Sequence, residues 1–154
     1  MVSRSHGGRL VDRVAKDRAR DRLVREVMEM PRIGVDSMMA SDIANIAHGV
    51  YSPLEGFLTR EDYLNVLAEG RLSDDVPWTI PIILDVAKEE IAGLREDDEV
   101  GLWQPIAVLD IEETYGWSRD EFAQQVFGTR DTGHPGVRLI AKRKDVLWGA
   151  RCCC

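Results

Sequence analysis

The chain has little that could cross-link it, hold a metal or anchor it in a membrane. Its 154 residues contain three cysteines, all at the end: Cys152, Cys153 and Cys154. None can staple the body of the fold, because a disulfide framework needs thiols distributed along the sequence. Adjacent residues send their side chains apart, so this run is also a poor ligand set for one tetrahedral metal, and it reads as a frayed tail or the product of truncation or frameshift. Histidine is equally scarce, with His6, His48 and His134 far apart in sequence. No apolar run approaches the roughly 20 residues a membrane helix needs, and the longest, 80–86, is broken by Pro81 and Asp85. The first 14 residues carry arginines and glycines where a secretory signal would be apolar, which predicts a cytoplasmic protein.

What is present suits one folded domain. Hydrophobic residues make up 44% and charged residues 31%, and the length matches a single core. The net charge of −7 is unevenly placed: residues 1–32 hold nine Lys or Arg against five Asp or Glu, leaving 11 against 22 for the rest. An acidic body repels phosphate backbones, which weighs against nucleic acid as a partner.

Residues 1–11 read as an exposed lead-in containing Gly7-Gly8. Residues 12–30 place Val14, Leu23, Val24, Val27 and Met28 on one helical face, ended by Pro31. The opposite face interleaves Asp17, Arg20, Asp21 and Arg25, the pattern of a solvated surface more than of an RNA-binding stripe. A strand over 32–35 leads to a helix over 36–47 capped by Asp36 and ended by Gly49. Thr59 and Asp62 open the next helix and Gly70 stops it. Residues 78–86 read as a buried strand, and 100–103 with 106–111 as a hairpin turning at Gln104-Pro105. Ser118 and Glu121 cap a helix running to Phe127, ended by Gly128; strands over 137–141 and 146–148 complete the set. Without regular strand–helix alternation, the class is α+β, a small mixed barrel or sheet with flanking helices.

Several segments carry a resemblance. Residues 49–58, Gly-Val-Tyr-Ser-Pro-Leu-Glu-Gly-Phe-Leu, resemble the ATP sulfurylase segment Gly-x-aromatic-Ser-Pro-Leu-x-Gly-Phe-Met, with Leu58 replacing the methionine. Residues 5–13 resemble that family's opening Pro-His-Gly-Gly-Lys-Leu-Val-x-Arg, with Ser5 departing from the proline. Residues 71–74 and 78–86 are similar to its Arg-Leu-x-Asp-Gly and Trp-Pro-Ile-Pro-Ile-x-Leu-Asp-Val, and 105–109 to its next strand. Residues 128–137 resemble Gly-Thr-x-Asp-x-x-His-Pro-Gly-Val. These matches follow the family's order over residues 5 to about 140.

The resemblance implies a PUA-like domain over 12–148, the amino-terminal domain of ATP sulfurylase (sulfate adenylyltransferase), with 149–154 as a tail. The complete enzymes join ATP and sulfate, with magnesium, to give adenylyl sulfate and pyrophosphate in sulfate assimilation or dissimilation. Their catalytic segments, Gln-x-Arg-Asn, His-x-x-His and Gly-Arg-Asp, lie in a downstream nucleotidyltransferase domain and do not occur in this sequence. Gly128-Thr129-Arg130-Asp131 only imitates the last of them. The chain is therefore expected to contain no catalytic, cofactor-binding or metal-binding residue. Ser52, Pro53, Leu54, Gly56, Phe57, His134, Pro135 and Gly136 are expected to serve packing or contact between domains. The implied partner is a catalytic domain, in the same polypeptide or a separate one, and a homo-oligomer is compatible. A free-standing RNA-binding module is the alternative function. Gly7-Gly8 is a weak phosphate cradle and reads better as a flexible lead-in. His48 and His134 read as residues that hold helix ends and turns, and the four tryptophans as core or interface anchors.

Overall fold

The structure, a computed structural model, describes residues 4–103 and 107–153. The elements run in the order α1 (Asp17–Glu29), β1 (Arg32–Gly34), α2 (Ser37–Ala47), β2 (Gly56–Phe57), α3 (Arg60–Glu69), β3 (Leu84–Val86), β4 (Glu99–Trp103), β5 (Ala107–Gly116), α4 (Arg119–Phe127), α5 (Pro135–Ala141) and β6 (Val146–Cys153). This is an α+β domain around a six-stranded mixed sheet that stays open. β1 pairs with β4 in parallel, and every other pairing is antiparallel.

The predicted caps form as local chemistry requires. Asp36 accepts the Met39 amide at 2.8 Å, Thr59 that of Asp62 at 3.4 Å, and Ser118 that of Glu121 at 3.2 Å. Each satisfies one of the free amides at a helix start. Gly70 and Gly128 close α3 and α4 with φ of 67° and 71°, in the left-handed region where a Cβ is costly. The hairpin forms as β4 and β5, while Gln104, Pro105 and Ile106 lie outside the described residues, as does Cys154.

Four expectations are corrected. Helix α1 begins at Asp17 instead of Asp12, because the backbone before it is tied to other segments, with the Arg13 amide donating to the Ala47 carbonyl at 2.9 Å. Only Leu84–Val86 of the 78–86 stretch pairs as a strand; Pro77 and Pro81 remove ladder donors, and Trp78 turns its indole N–H onto the Ile80 carbonyl at 2.8 Å. Residues 137–141 belong to helix α5, since Pro135 suits a first helical position and Val137 and Ile140, three apart, bury one face.

The fourth correction concerns residues 149–154, expected as a tail. β6 runs on to Cys153 and is the central strand. One edge carries β5; the other carries β3 along Val146–Trp148 and β2 along Ala150–Arg151. Leu147 packs in one hydrophobic cluster, with Leu54, Leu58, Tyr63 and Tyr115, while Trp148, Ala150 and Cys152 pack in the other, with Ile43, Phe57 and Leu109. With both faces covered, such a strand shows no apolar–polar alternation. Gly149 allows the chain to pass Thr59, whose Cα would lie 2.8 Å from a Cβ.

Candidate functional site

Three of the segments that carry the resemblance, 5–13, 49–58 and the start of 78–86, meet at one corner of the domain. Ser52 is only 3% exposed; its hydroxyl donates to the Gly49 carbonyl at 2.6 Å and accepts the Val11 amide at 2.9 Å. Residues 9–13 are thereby laid along the 49–58 loop. Gly49 makes this approach possible, since at φ 76° any Cβ would overlap the Val11 carbonyl oxygen. The Ser52–Pro53 peptide is cis, and the Pro53 ring meets Gly7, where a Cβ would stand 2.9 Å from its Cγ.

Beyond Pro53 the loop divides its apolar residues between the two clusters. Leu54 enters the cluster of Leu58 and Tyr63, and Phe57 that of Ile43 and Trp148. Between them Glu55 forms ion pairs with both Arg9 and Arg13. The Glu55 carbonyl accepts the Cys152 amide at 3.0 Å, and Gly56 pairs with Arg151 where a Cβ would overlap the Ala150 carbonyl oxygen. The end of β6 is thus stitched to this same loop.

The third segment arrives from 77–80. His6 Nε2 lies 2.7 Å from the Pro77 carbonyl oxygen, and its ring centroid is 5.8 Å from Trp78. Trp78 meets Tyr51 edge-on at 6.2 Å, and the Tyr51 hydroxyl donates to Asp42 at 3.1 Å. Burial pushes both the Tyr51 hydroxyl and the Asp42 carboxyl above their ordinary values, so the pair favours a neutral phenol. Among the side chains the corner leaves exposed are three large apolar ones, Leu10 at 69%, Val50 at 68% and Ile80 at 55%, alongside the polar His6, Arg9 and Asp12. On its other side a groove of about 240 Å³ is lined by Glu55, Asp62, Asp74 and Glu112, with Arg151 among them. These charges are largely engaged, Asp62 by the Ser73 amide at 2.7 Å and Glu112 by Arg151 at 2.7 Å.

His134, Pro135 and Gly136 form a separate feature. His134 caps α5, its Nδ1 accepting the Gly136 amide at 3.2 Å, and its ring lies 5.0 Å from Phe127. Gly136 sits where a Cβ would come within 2.6 Å of Phe127 Cζ, so the turn is moulded on the end of α4. Thr129 and Asp131 are spent on their own loop, with Asp131 accepting the Gly133 amide at 2.8 Å. His48 ends α2 with an exposed side chain, its backbone amide donating to Ala44. Along α1 the arginines alternate with acids, and Arg22 pairs with Glu26 at 3.2 Å.

Two polar features escaped the sequence reading. Asp85, buried in β3, accepts Arg143 Nη1 at 2.6 Å and the Lys144 amide at 2.8 Å. A carboxylate inside an apolar run demands such partners, and that was the available signal. The Tyr115 hydroxyl donates to the Leu58 carbonyl at 2.7 Å, and burial raises its pKa. Among the described residues no group of three His, Cys, Asp or Glu side chains is disposed to hold a metal ion.

The PUA-like domain model matches residues 3–152. The sulfate adenylyltransferase of Hyperthermus butylicus is 59% identical over 152 residues, covering 97% of this chain and 39% of the relative. That of Ignicoccus hospitalis is 54% identical, with 97% and 40% covered. That of Pyrococcus abyssi is 51% identical, with 97% and 39% covered. A solved structure, the hexameric APS kinase from Thiobacillus denitrificans, superposes with a TM-score of 0.66 at 25% identity, over 75% of this chain and 24% of that one. The chain spans about two fifths of the length of the curated relatives it matches. With residues 3–152 matched, the chain belongs to the PUA-like domain family and corresponds to the amino-terminal portion of sulfate adenylyltransferases.

Proposed function

We propose that this chain is a non-catalytic scaffold and interface domain of a cytoplasmic sulfate adenylyltransferase. On this reading the corner formed by residues 5–13, 49–58 and 77–80 is where the catalytic portion of the enzyme docks. The observation that carries it is the division of labour at the corner. Ser52, Glu55 and His6 spend their polar groups on the chain itself, leaving Leu10, Val50 and Ile80 as exposed apolar contacts. Internally satisfied polar groups build a shape, whereas a catalytic constellation keeps donors and acceptors free for the reacting atoms. ATP and magnesium, required by the complete reaction, are then held outside this chain. The hexameric state named for the structural neighbour supports a homo-oligomeric complete enzyme.

The test is pyrophosphate release from ATP and sulfate by the purified chain. No turnover above the uncatalysed background is expected. Robust turnover that disappears on Glu55→Gln would overturn the proposal.

A further inference from the structure

On a different face, the end of β3 and the loop before β6 enclose a concavity of about 220 Å³. Its walls carry paired charges, one pair of them buried. Arg143 is anchored on buried Asp85 at 2.6 Å, and Lys144 on Glu90 at 2.6 Å. Arg119, at the start of α4, donates from Nε to the Arg143 carbonyl at 2.9 Å and from Nη2 to Asp145 at 2.7 Å. The lining adds Lys88 and Lys142; among the described residues neither lysine forms a close ion pair, and the Lys88 charge, after that of Arg119, helps hold the Asp145 carboxyl below its ordinary value. Arg119, whose guanidinium lies 5.5 Å from the Trp117 ring centroid, likewise makes no hydrogen bond from Nη1 among the described residues. The only acids in the lining are Glu89 and Asp145. In a chain of net charge −7, this is an open concavity in which three cationic groups hold unused donors beside one buried ion pair, Arg143 with Asp85.

We propose that this concavity binds a sulfate- or phosphate-type oxyanion, with Lys88, Lys142 and Arg119 as its contacts. Charge chemistry selects the ligand. Two ammonium groups and the free N–H pair of a guanidinium match several oxygens of one tetrahedral anion, through charge-assisted bonds roughly twice as strong as neutral ones. Chloride accepts no such set of directed bonds. The buried Arg143–Asp85 pair beneath supplies a preorganised wall, so binding orders only two lysine side chains. The site shares no residue with the corner proposed for docking, and its test stands apart from that proposal.

The purified chain is titrated with sodium sulfate and with sodium phosphate, against sodium chloride at matched ionic strength, by calorimetry and thermal unfolding. Saturable binding of sulfate or phosphate over chloride is expected. Affinity should fall by about tenfold or more in Lys88→Ala/Lys142→Ala, since a hydrogen bond to a charged group is worth roughly 1.5–3 kcal/mol. Neither lysine is needed by the fold, so the variant's Tm in chloride should match the parent. Arg18→Ala/Arg20→Ala on α1 should bind as the parent does. Adenosine diphosphate and adenosine separate the sources: diphosphate binding with adenosine silent indicates the phosphate group of a nucleotide, and binding of inorganic ions alone indicates a free ion. Unchanged affinity in the lysine variant would overturn the assignment. So would a non-saturating rise in Tm shared by parent and variant, the signature of an excluded salt.

Discussion

Gly56 has no room for a side chain, because its Cβ would overlap the Ala150 carbonyl across the β2–β6 pairing. Gly56→Ala is expected to lower stability by about 1–3 kcal/mol, the cost of overpacking, read as a fall in Tm. Ser52→Ala leaves the Val11 amide buried without an acceptor and is expected to cost about 1–3 kcal/mol in denaturant unfolding. Glu90 gives the pH dependence a direction. Burial pushes its carboxyl up, but the Lys144 ammonium and the Ala87 amide outweigh that and hold it below its ordinary 4.5. A lowered folded-state pKa means stability present above the unfolded value and lost as pH falls through the folded one. Glu90→Gln should therefore flatten the acid limb of a stability–pH curve below about pH 4.5 and leave its shape at neutral pH unchanged.

Among the elements, what was legible in the sequence was local chemistry. Asp36, Thr59 and Ser118 cap the helices they announce, because an amide three residues on is the nearest donor. Gly70 and Gly128 stop helices because their left-handed angles are a property of one residue. Leu54 and Phe57 of the Ser52–Phe57 loop are buried in the two apolar clusters. Of β6 only residues 146–148 were legible as a strand; its run through 149–153 and its central place were not, since its hydrogen bonds go to three strands far away in sequence and both its faces are covered. Helix α5 was misread for a related reason: seven residues with a Pro-Gly start look like a turn and a strand until Phe127 is placed beside them. The central position of β6 has a measurable consequence. Amides of Leu147–Cys152 are expected to exchange hydrogen only through global unfolding, whereas those of α1, which buries Val27 alone, should exchange by local opening. Rapid exchange along β6 would contradict its place at the centre of the sheet.

At the scale of the whole molecule, one corner is built on the Ser52 hydroxyl and the Glu55 carboxylate and leaves three large apolar side chains exposed. Leu10, Val50 and Ile80 are large enough that burying them on a partner is worth roughly 1.5–3 kcal/mol each. Their exposed parts pack on nothing within the domain, so loss of the proposed docking can be read apart from loss of folding. The most direct measurement is the affinity of the chain for a separately produced catalytic portion of a sulfate adenylyltransferase, parent against Leu10→Glu/Val50→Glu. The expected result is a loss of about tenfold or more in affinity with Tm unchanged. Equal affinity in parent and variant would contradict the account.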